Sequence, residues 1–417
     1  MFDAYGTQNL FTFTSGVDHR NRKKLISHMY SNQRVMQDQC VEMVARKVEN
    51  FLALLQREPG LASEIFTSLH YFSLDAISEF VYGPKHGGTQ ALLGKQVDRR
   101  LIGDILDPAR RRLAWFIVHF PTYTKWIVTR TGWLGKLVQN VGALPMNRPF
   151  TYSGIRAHAL QAFDTYKAAI ESGEEVADDS TVMGRLFQVR EKHALSDMDV
   201  ASECADHLLA GIDTTADSLM FMIWALSLPK HEHYQHRLRN ELSLVTTNDQ
   251  AYPTPKQLNE LPWLNALLKE SLRLYTPLPA FEPRQALTDT IIDGHVIPAQ
   301  TVVGMSPYCM HREPSVFPDP KVFRPERWLD ENGKLLPESA NENKWFWAFS
   351  SGARMCIGIH LANAEMQMLI AAIYRHYVTS TRHHECTPAI TSRYEIFADE
   401  RMSQAKEHEC WIEFQKI

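Results

Sequence analysis

Residues 349–358, FSSGARMCIG, place one cysteine, Cys356, in a loop with a glycine on either side, and this loop runs directly into an apolar helical pattern at Leu361–Tyr374. Glycine lets a backbone adopt positive φ and approach a flat ligand closely. A helix N-terminus and backbone N–H groups stabilise a negative sulfur and lower the pKa of a thiol, and Arg354 adds a positive charge beside it. The segment therefore predicts a thiolate that is presented to a metal or a cofactor.

Two other interpretations of Cys356 stay open from the residues alone. One is an inert, buried cysteine in a tight turn. The other is half of a zinc site, because His360 follows at i, i+4 spacing, although no second pair of ligands lies at a suitable distance in the sequence.

The composition is that of a globular protein in a reducing compartment. The 417 residues are 44% hydrophobic and 22% charged, which allows one large domain or several smaller ones. A net charge of -4 and an isoelectric point near 6.5 give no large field of one sign, so the overall charge does not favour nucleic acid as a partner. The six cysteines form no CxxC pair and are too sparse for a disulfide scaffold.

Helical periodicity dominates the first two thirds of the chain. Apolar residues recur at three- and four-residue steps in Leu25–Leu55, Phe66–Val81, Ser153–Ile170, Asp197–Leu228 and His231–Val245. After Pro277, the short β-rich pieces Thr290–Ile292 and Val296–Ile297 flank Asp293-Gly294 and predict a small hairpin. A long, proline-rich loop at Tyr308–Ala348 follows, and loops of this length in compact domains are usually functional.

Residues 210–215, AGIDTT, lie in the middle of an apolar helical run, His207–Leu228. Gly211, Asp213 and Thr214 are all unfavourable in a buried helix interior, so they call for an explanation. A purely structural one is available, in which the threonine hydroxyl bonds back to the carbonyl four residues earlier and Asp213 lies on a solvated face.

Glu270 and Arg273 place an acid and a guanidinium on one helix face at i, i+3 spacing. Such pairs are common at protein surfaces, where they contribute about 0–1 kcal/mol. Arg327 follows in the segment FRPERW at 323–328.

The loop at 349–358 matches every specified position of the FxxGxRxCxG haem-binding signature, and on this basis the chain resembles the cytochromes P450. The resemblance implies haem b as the cofactor, with Cys356 as its axial iron ligand and with Phe349 and Arg354 in contact with it. The AGIDTT stretch is similar to the distal helix of that family, where Gly211 would border the opening above the haem. Asp213 and Thr214 would then be the acid–alcohol pair that delivers protons during oxygen activation.

The same resemblance assigns a structural triad and the partners of the haem propionates. The order ExxR, PERW, cysteine loop is the order of the family, so Glu270, Arg273 and Arg327 would lock the loop beneath the haem. Arg284 stands where the family places a propionate arginine. His19 and Lys23 resemble the family's WxxxR helix start, with His in place of Trp and Lys in place of Arg, so Lys23 would bind as a point charge without a bidentate fork.

The implied fold is mainly α with small β-sheets, as one cytochrome P450 domain over residues 1–417. The wording of the motifs is most similar to fungal microsomal members. Such members have a membrane anchor, a first helix and opening β1 strands before this point, and we expect these to be missing here, through a truncated gene model, an alternative start or a shortened enzyme.

The implied function is monooxygenation, in which one oxygen atom of O2 enters a lipophilic small molecule by hydroxylation or epoxidation in secondary metabolism. The implied partner is NADPH-cytochrome P450 reductase, and we expect a monomer that binds no nucleic acid. The implied location is the cytosolic face of the endoplasmic reticulum membrane, or the cytoplasm if no anchor exists.

Two other functions stay open: a haem-thiolate isomerase or dehydratase, which needs no external electrons, and an inactive haem-binding remnant. Asp213 and Thr214 argue against the isomerase. The substrate is not readable, because segments such as Leu278–Pro283 indicate only a lipophilic pocket. Leu113–Trp126 is compatible with a core helix, a pocket roof or a membrane-dipping segment.

Overall fold

The structure is a computed structural model. It describes residues 4–58, 62–103, 120–128, 132–141, 153–174, 180–247, 252–279, 282–381, 388–391, 396–397, 406–407 and 409–417. Residues 113–119, which are half of Leu113–Trp126, and residues 280 and 281 within Leu278–Pro283 lie outside this part of the chain.

The described helices are α1 Gly16–Ile26, α2 Asn32–Val35, α3 Asp38–Arg57, α4 Ile65–His86, α5 Gln96–Arg99, α6 Pro121–Val128, α7 Gly132–Asn140, α8 Ser153–Glu171, α9 Val182–Val189, α10 Asp197–Ser227, α11 Glu232–Ser243, α12 Pro255–Asn259, α13 Pro262–Leu274, α14 Pro307–Met310, α15 Asn341–Trp345 and α16 Ile359–His376. Short 3-10 helices cover Arg100–Ile102, Pro229–His231, Pro325–Trp328 and Gly352–Arg354.

The described strands are β1 Ala62–Glu64, β2 Glu282–Gln285, β3 Thr290–Ile292, β4 His295–Ile297, β5 Val302–Met305, β6 Tyr377–Thr381, β7 Pro388–Thr391, β8 Ile396–Phe397, β9 Lys406–Glu407 and β10 Trp411–Lys416. They pair in the orders β1-β10-β6, β2-β5, β3-β4 and β8-β7-β9. Apart from the parallel pair β7-β9, these pairs are antiparallel. The predicted mainly α fold with small β-sheets is therefore confirmed.

The long helix α10 lies at the centre of the fold. Its start is fixed by a capping box, in which Ser196 and Asp199 satisfy each other's backbone N–H groups, and it ends one residue before Leu228-Pro229. It packs against α4, α8, α13 and α16. Among the described residues it is the one helix that is long and apolar enough to cross a membrane. However, 78% of its most apolar stretch is buried inside the protein.

The N-terminal helices differ from the single helical stretch predicted at Leu25–Leu55. The chain breaks after α1 and again before α3, and the Ser31 hydroxyl caps α2 by accepting from the Arg34 N–H at 3.3 Å. Capping is a short-range signal, and the apolar period continues across it, so periodicity alone did not reveal the breaks.

The turn at Asp293-Gly294 forms the predicted hairpin between β3 and β4. Asp293 has φ 49° and Gly294 has φ 78°, the two positive values that a two-residue type I′ turn requires. The long loop at Tyr308–Ala348 is not without structure, because α15 and the 3-10 helix Pro325–Trp328 interrupt it.

Close packing of α4 on α10 depends on Gly211. A Cβ atom at this position would lie 2.5 Å from Cγ1 and 2.9 Å from Cβ of Ile77 on α4. Distances this short would force the two helices apart.

We predict that Gly211→Ala lowers the free energy of unfolding by about 1–3 kcal/mol, because the added methyl group overpacks the contact with Ile77. Urea unfolding of the haem-loaded protein measures this. Gly16→Ala is the matched helical control, since no atom lies within 4 Å of its added Cβ. Equal unfolding midpoints for both variants would show that the α4–α10 contact adapts without cost.

Candidate functional site

The loop that carries Cys356 is held by its own backbone. The Cys356 N–H donates to the Phe349 carbonyl at 2.9 Å, which closes the loop. Two residues inside it are left-handed, Ser350 at φ 59° and Gly352 at φ 69°. Gly358 is not left-handed; it is the N-cap of α16, and a Cβ added there would lie 3.9 Å from the Cys356 sulfur. The sequence thus presents the sulfur directly before a helix N-terminus.

The thiol of Cys356 is accessible although much of the protein lies around it. Its side chain is exposed, yet enough protein surrounds the position for burial to raise the pKa of Cys356. The Gly358 backbone N–H and the Lys23 ammonium act in the opposite direction and lower this pKa. An accessible sulfur with a cation and a backbone donor beside it can bind a metal as a thiolate.

Lys23, on α1, reaches across the fold to the cysteine loop. Its ammonium donates to the Ala353 carbonyl at 2.9 Å and to the Met355 carbonyl at 3.2 Å. The Arg354 guanidinium donates to the Phe13 carbonyl at 2.6 Å. Two sequence-distant segments are therefore joined at the predicted cofactor site.

His19, Lys23, Arg284 and Arg354 lie close enough to perturb one another. Burial, followed by Arg354 and Lys23, lowers the pKa of His19 to about 4. Burial also lowers the pKa of Lys23 and of Arg354, and Arg284 lowers the latter further. Glu282 offsets part of this charge, since it pairs with Arg284 at 3.3 Å. The charged forms of these basic side chains repel one another. An anionic ligand would relieve this repulsion and restore the charge of His19.

Glu270 and Arg273, on α13, form a fully buried ion pair with both side chains 0% exposed. The contact is bidentate, from Arg273 Nε to Oε2 and from Nη2 to Oε1, both at 2.9 Å. Arg327 Nε donates to Glu270 Oε1 at 3.2 Å, the Arg324 backbone N–H donates to Oε1 at 2.8 Å, and Trp328 Nε1 donates to Oε2 at 3.0 Å. The three predicted triad residues are thus in direct contact.

A third group of predicted residues lies on α10. Ala210 is exposed and Thr214 is half-buried, whereas Leu209 and Ile212 beside them are buried. The Thr214 hydroxyl donates to the Ala210 carbonyl at 2.9 Å, the back-bond of the structural alternative, but Asp213 is not on a solvated face, since its side chain is 16% exposed. The side of Gly211 on which a Cβ atom would lie faces α4. One stripe of this core helix therefore borders open space.

Comparisons with known proteins decide the family. The family model for cytochrome P450 matches residues 2–400. The chain belongs to the cytochrome P450 family.

Curated relatives agree with this cytochrome P450 assignment. The chain is 34% identical over 221 residues to probable cytochrome P450 4d21 of Drosophila melanogaster, covering 52% of this chain and 42% of that protein. It is 26% identical over 322 residues to the mitochondrial 25-hydroxyvitamin D-1 alpha hydroxylase of Homo sapiens, covering 76% and 58%. It is 35% identical over 209 residues to human cytochrome P450 4F8, covering 48% and 38%. The chain spans about half the length of the curated relatives it matches.

Cytochromes P450 bind haem through a cysteine thiolate, and the residues of this chain fit that group. Cys356 offers an accessible sulfur. The four basic residues beside it suit the two haem propionates. The zinc alternative gains no support, because the described residues contain no group of three or more His, Cys, Asp or Glu that could hold a metal ion.

His311 connects this P450's buried triad to its cysteine loop, and the sequence analysis missed it. Its Nδ1 donates to the Arg273 carbonyl at 2.9 Å, and its Nε2 accepts from the Trp347 N–H at 2.7 Å. Burial and Arg273 lower the pKa of His311 to about 3, so the ring stays neutral and can donate on one side and accept on the other. The only available signal was a histidine inside the long loop, which is too common to identify it.

A second missed network fastens α1 to α10. Arg22 pairs with Glu203 at 2.7 Å, with both side chains buried. Glu203 Oε1 lies 3.3 Å from His207 Nε2, and His207 Nδ1 lies 2.7 Å from the Tyr30 hydroxyl. The network positions the helix that carries His19 and Lys23.

Glu365, on α16, was also missed. It is buried, and burial raises its pKa to about 8, while a hydrogen bond with the Thr215 hydroxyl lowers it. Burial therefore favours the protonated form of this carboxyl group. Through Thr215 it joins the helix after Cys356 to α10.

We predict that Cys356→Ala abolishes the red-shifted Soret band of the thiolate-bound ferrous carbonyl complex, because the sulfur ligand is then gone from the loop. Absorbance of the reduced, carbon monoxide-treated protein measures this. Cys309→Ala, which removes another exposed cysteine, is the control that should retain the band. Retention of the band in Cys356→Ala would show that a different residue binds the iron.

We predict that Glu270→Gln lowers the free energy of unfolding by about 3–5 kcal/mol, because two guanidinium groups lose their anionic partner in a buried site. Glu326→Gln is the control from the adjacent segment. Its side chain is 44% exposed, and we expect a change within about 0.5 kcal/mol. Urea unfolding with haem loading as a second readout compares the two, and equal effects would contradict the central role of Glu270.

Proposed function

We propose that this chain is a haem-dependent monooxygenase that inserts one oxygen atom of O2 into a lipophilic small molecule. The observation that carries the proposal is the open stripe on α10, where Ala210 and Thr214 interrupt an otherwise buried helix next to Asp213. A helix that served only as core would bury this face. The family assignment supplies the reaction class.

The haem, when bound, supplies the iron at which O2 is reduced and cleaved. Cys356 would hold the iron through its sulfur, and the Gly358 N–H would limit the charge on that sulfur. Lys23, Arg284 and Arg354 would pair with the propionates. Glu270, through Arg273 and His311, keeps the cysteine loop in place from below.

Asp213 and Thr214, on α10, would supply the protons that the reaction needs. Oxygen cleavage needs two protons in a pocket that excludes bulk water, so a titratable group and a positioned hydroxyl are required. Asp213 is the titratable group. The Thr214 hydroxyl, held by the Ala210 carbonyl as acceptor, keeps its lone pairs available toward the open stripe.

Electrons come from a separate protein, because the sequence contains no GxGxxG nucleotide fingerprint. We propose NADPH-cytochrome P450 reductase as the donor. Arg20 and Lys24 are exposed on α1, whose Lys23 touches the cysteine loop, and they offer basic contacts near the thiolate. The protein would act as a monomer toward this partner, without nucleic acid.

The substrate is proposed only as a class. Apolar pocket segments suit a lipophilic molecule, and a role in fungal secondary metabolism follows from the wording of the motifs alone. The proposed location is the cytosolic face of the endoplasmic reticulum. Asp213 gives no support to the isomerase alternative, because such enzymes do not need this acid.

We predict that Thr214→Ala leaves haem binding intact but diverts NADPH oxidation from product to hydrogen peroxide, because proton delivery loses its hydroxyl. Asp213→Asn should instead lower turnover by about 100-fold or more, since the proton donor is lost. Both are measured as NADPH consumed against product and peroxide formed, with reductase present.

Ser218→Ala is the matched control, because Ser218 makes the same kind of back-bond, to the Thr214 carbonyl at 2.7 Å, one turn further along α10. It should couple like the parent. A Thr214→Ala protein that couples equally well, or a parent that converts its substrate without reductant, would contradict the monooxygenase proposal.

A further inference from the structure

A histidine of α4 faces the acid of α10 that is proposed to donate protons. His70 is 1% exposed, and its Nε2 lies 3.8 Å from Oδ1 of Asp213 and 3.8 Å from Oδ1 of Asp217. The two aspartates are one helical turn apart, so both carboxylates point to the same side of α10. The aromatic ring of Phe66 covers the histidine, with ring centroids 4.3 Å apart.

The backbone determines where one proton of His70 resides. Nδ1 lies 2.7 Å from the Phe66 carbonyl oxygen, which can only accept a hydrogen bond. Nδ1 therefore carries a proton. A neutral ring would then turn the lone pair of Nε2 toward two carboxylate oxygens, an arrangement of like partial charges in a buried place. A second proton, on Nε2, converts this repulsion into attraction.

We infer that His70 is the positively charged partner of Asp213 and Asp217, and that it positions the proton-donating carboxyl group of Asp213. The distance of 3.8 Å is that of an ion pair and longer than a direct hydrogen bond. The imidazolium thus acts by its charge. It stabilises the carboxylate that remains when Asp213 releases a proton toward the open stripe.

The part of the inference that concerns proton donation rests on the proposed monooxygenase function. The charge of His70 does not, because it follows from the contacts with Phe66 and the two aspartates. Two measurements therefore separate the two claims.

The first measurement is nitrogen NMR of the reduced carbonyl form, with histidine labelled at both ring nitrogens, at neutral pH. His70, assigned with His70→Asn, should show two protonated nitrogens. His231 is the matched control: it is also buried and its Nδ1 lies 2.6 Å from the Ala225 carbonyl, but burial lowers the pKa of His231 and it should show one protonated nitrogen. A single protonated nitrogen at His70 overturns the inference, whatever the enzyme does.

The second measurement is coupled turnover. His70→Asn keeps an amide donor for the Phe66 carbonyl but has no charge, and product per NADPH should fall by about tenfold, less than the full effect of a general acid. The solvent isotope effect on turnover should rise, and His231→Asn should change neither quantity.

The double variant His70→Asn with Asp213→Asn distinguishes positioning from a general structural effect. If His70 acts through Asp213, the double variant turns over like Asp213→Asn alone. Additive losses would show that His70 acts elsewhere and overturn its positioning role. A parent without reductase-dependent turnover contradicts the proposed function, while the nitrogen spectra still decide the charge of His70.

Discussion

The carboxylate of Glu270 is the interaction on which the haem side of this protein depends. Three elements meet at its two oxygens: α13 through Arg273, the backbone at Arg324, and the 3-10 helix through Arg327 and Trp328. Burying such a charge costs several kcal/mol unless its hydrogen bonds are satisfied, and here both oxygens are. Loss of any one donor would remove a hydrogen bond from this buried carboxylate. These hydrogen bonds therefore keep the long loop in a single arrangement.

A chain of hydrogen bonds connects Glu270 to the segment that precedes the cysteine loop. Arg273 offers its carbonyl to His311, and His311 accepts from the N–H of Trp347, just before the cysteine loop begins. The loop then closes on itself through Cys356 and Phe349. The chain's own hydrogen bonds therefore hold the cysteine in place, which reduces the ordering cost of presenting its sulfur to a cofactor.

Charged pairs also connect α10 to its neighbours. Arg22 binds Glu203, and His70 faces Asp213 and Asp217. Each pair joins residues far apart in sequence, and a buried polar group tolerates few alternative partners, so these contacts favour one alignment of the helices over others of similar apolar packing. Asp213, the acid of the proposed proton pair, is thereby part of the contact between α10 and α4 that Gly211 makes possible.

The local patterns located most of the helices and the hairpin after Pro277, and they led to the family. Apolar periodicity placed α4, α8 and α10, the Asp293-Gly294 dipeptide placed the β3–β4 hairpin, and the cysteine motif led to the family. Periodicity did not find the breaks between α1, α2 and α3, because the Ser31 cap is a shorter-range signal than the apolar repeat.

What the sequence by itself determined is therefore the class of fold and the family, together with the cysteine proposed as the sulfur ligand, because these are encoded in local patterns. The tertiary structure alone decided that His311 bridges Arg273 to Trp347 and that His70 stands beside Asp213. A histidine in a loop or on a helix face carries no local mark of its role. Its role arises only when folding removes it from water and leaves particular oxygens and nitrogens as its hydrogen-bond and charge partners.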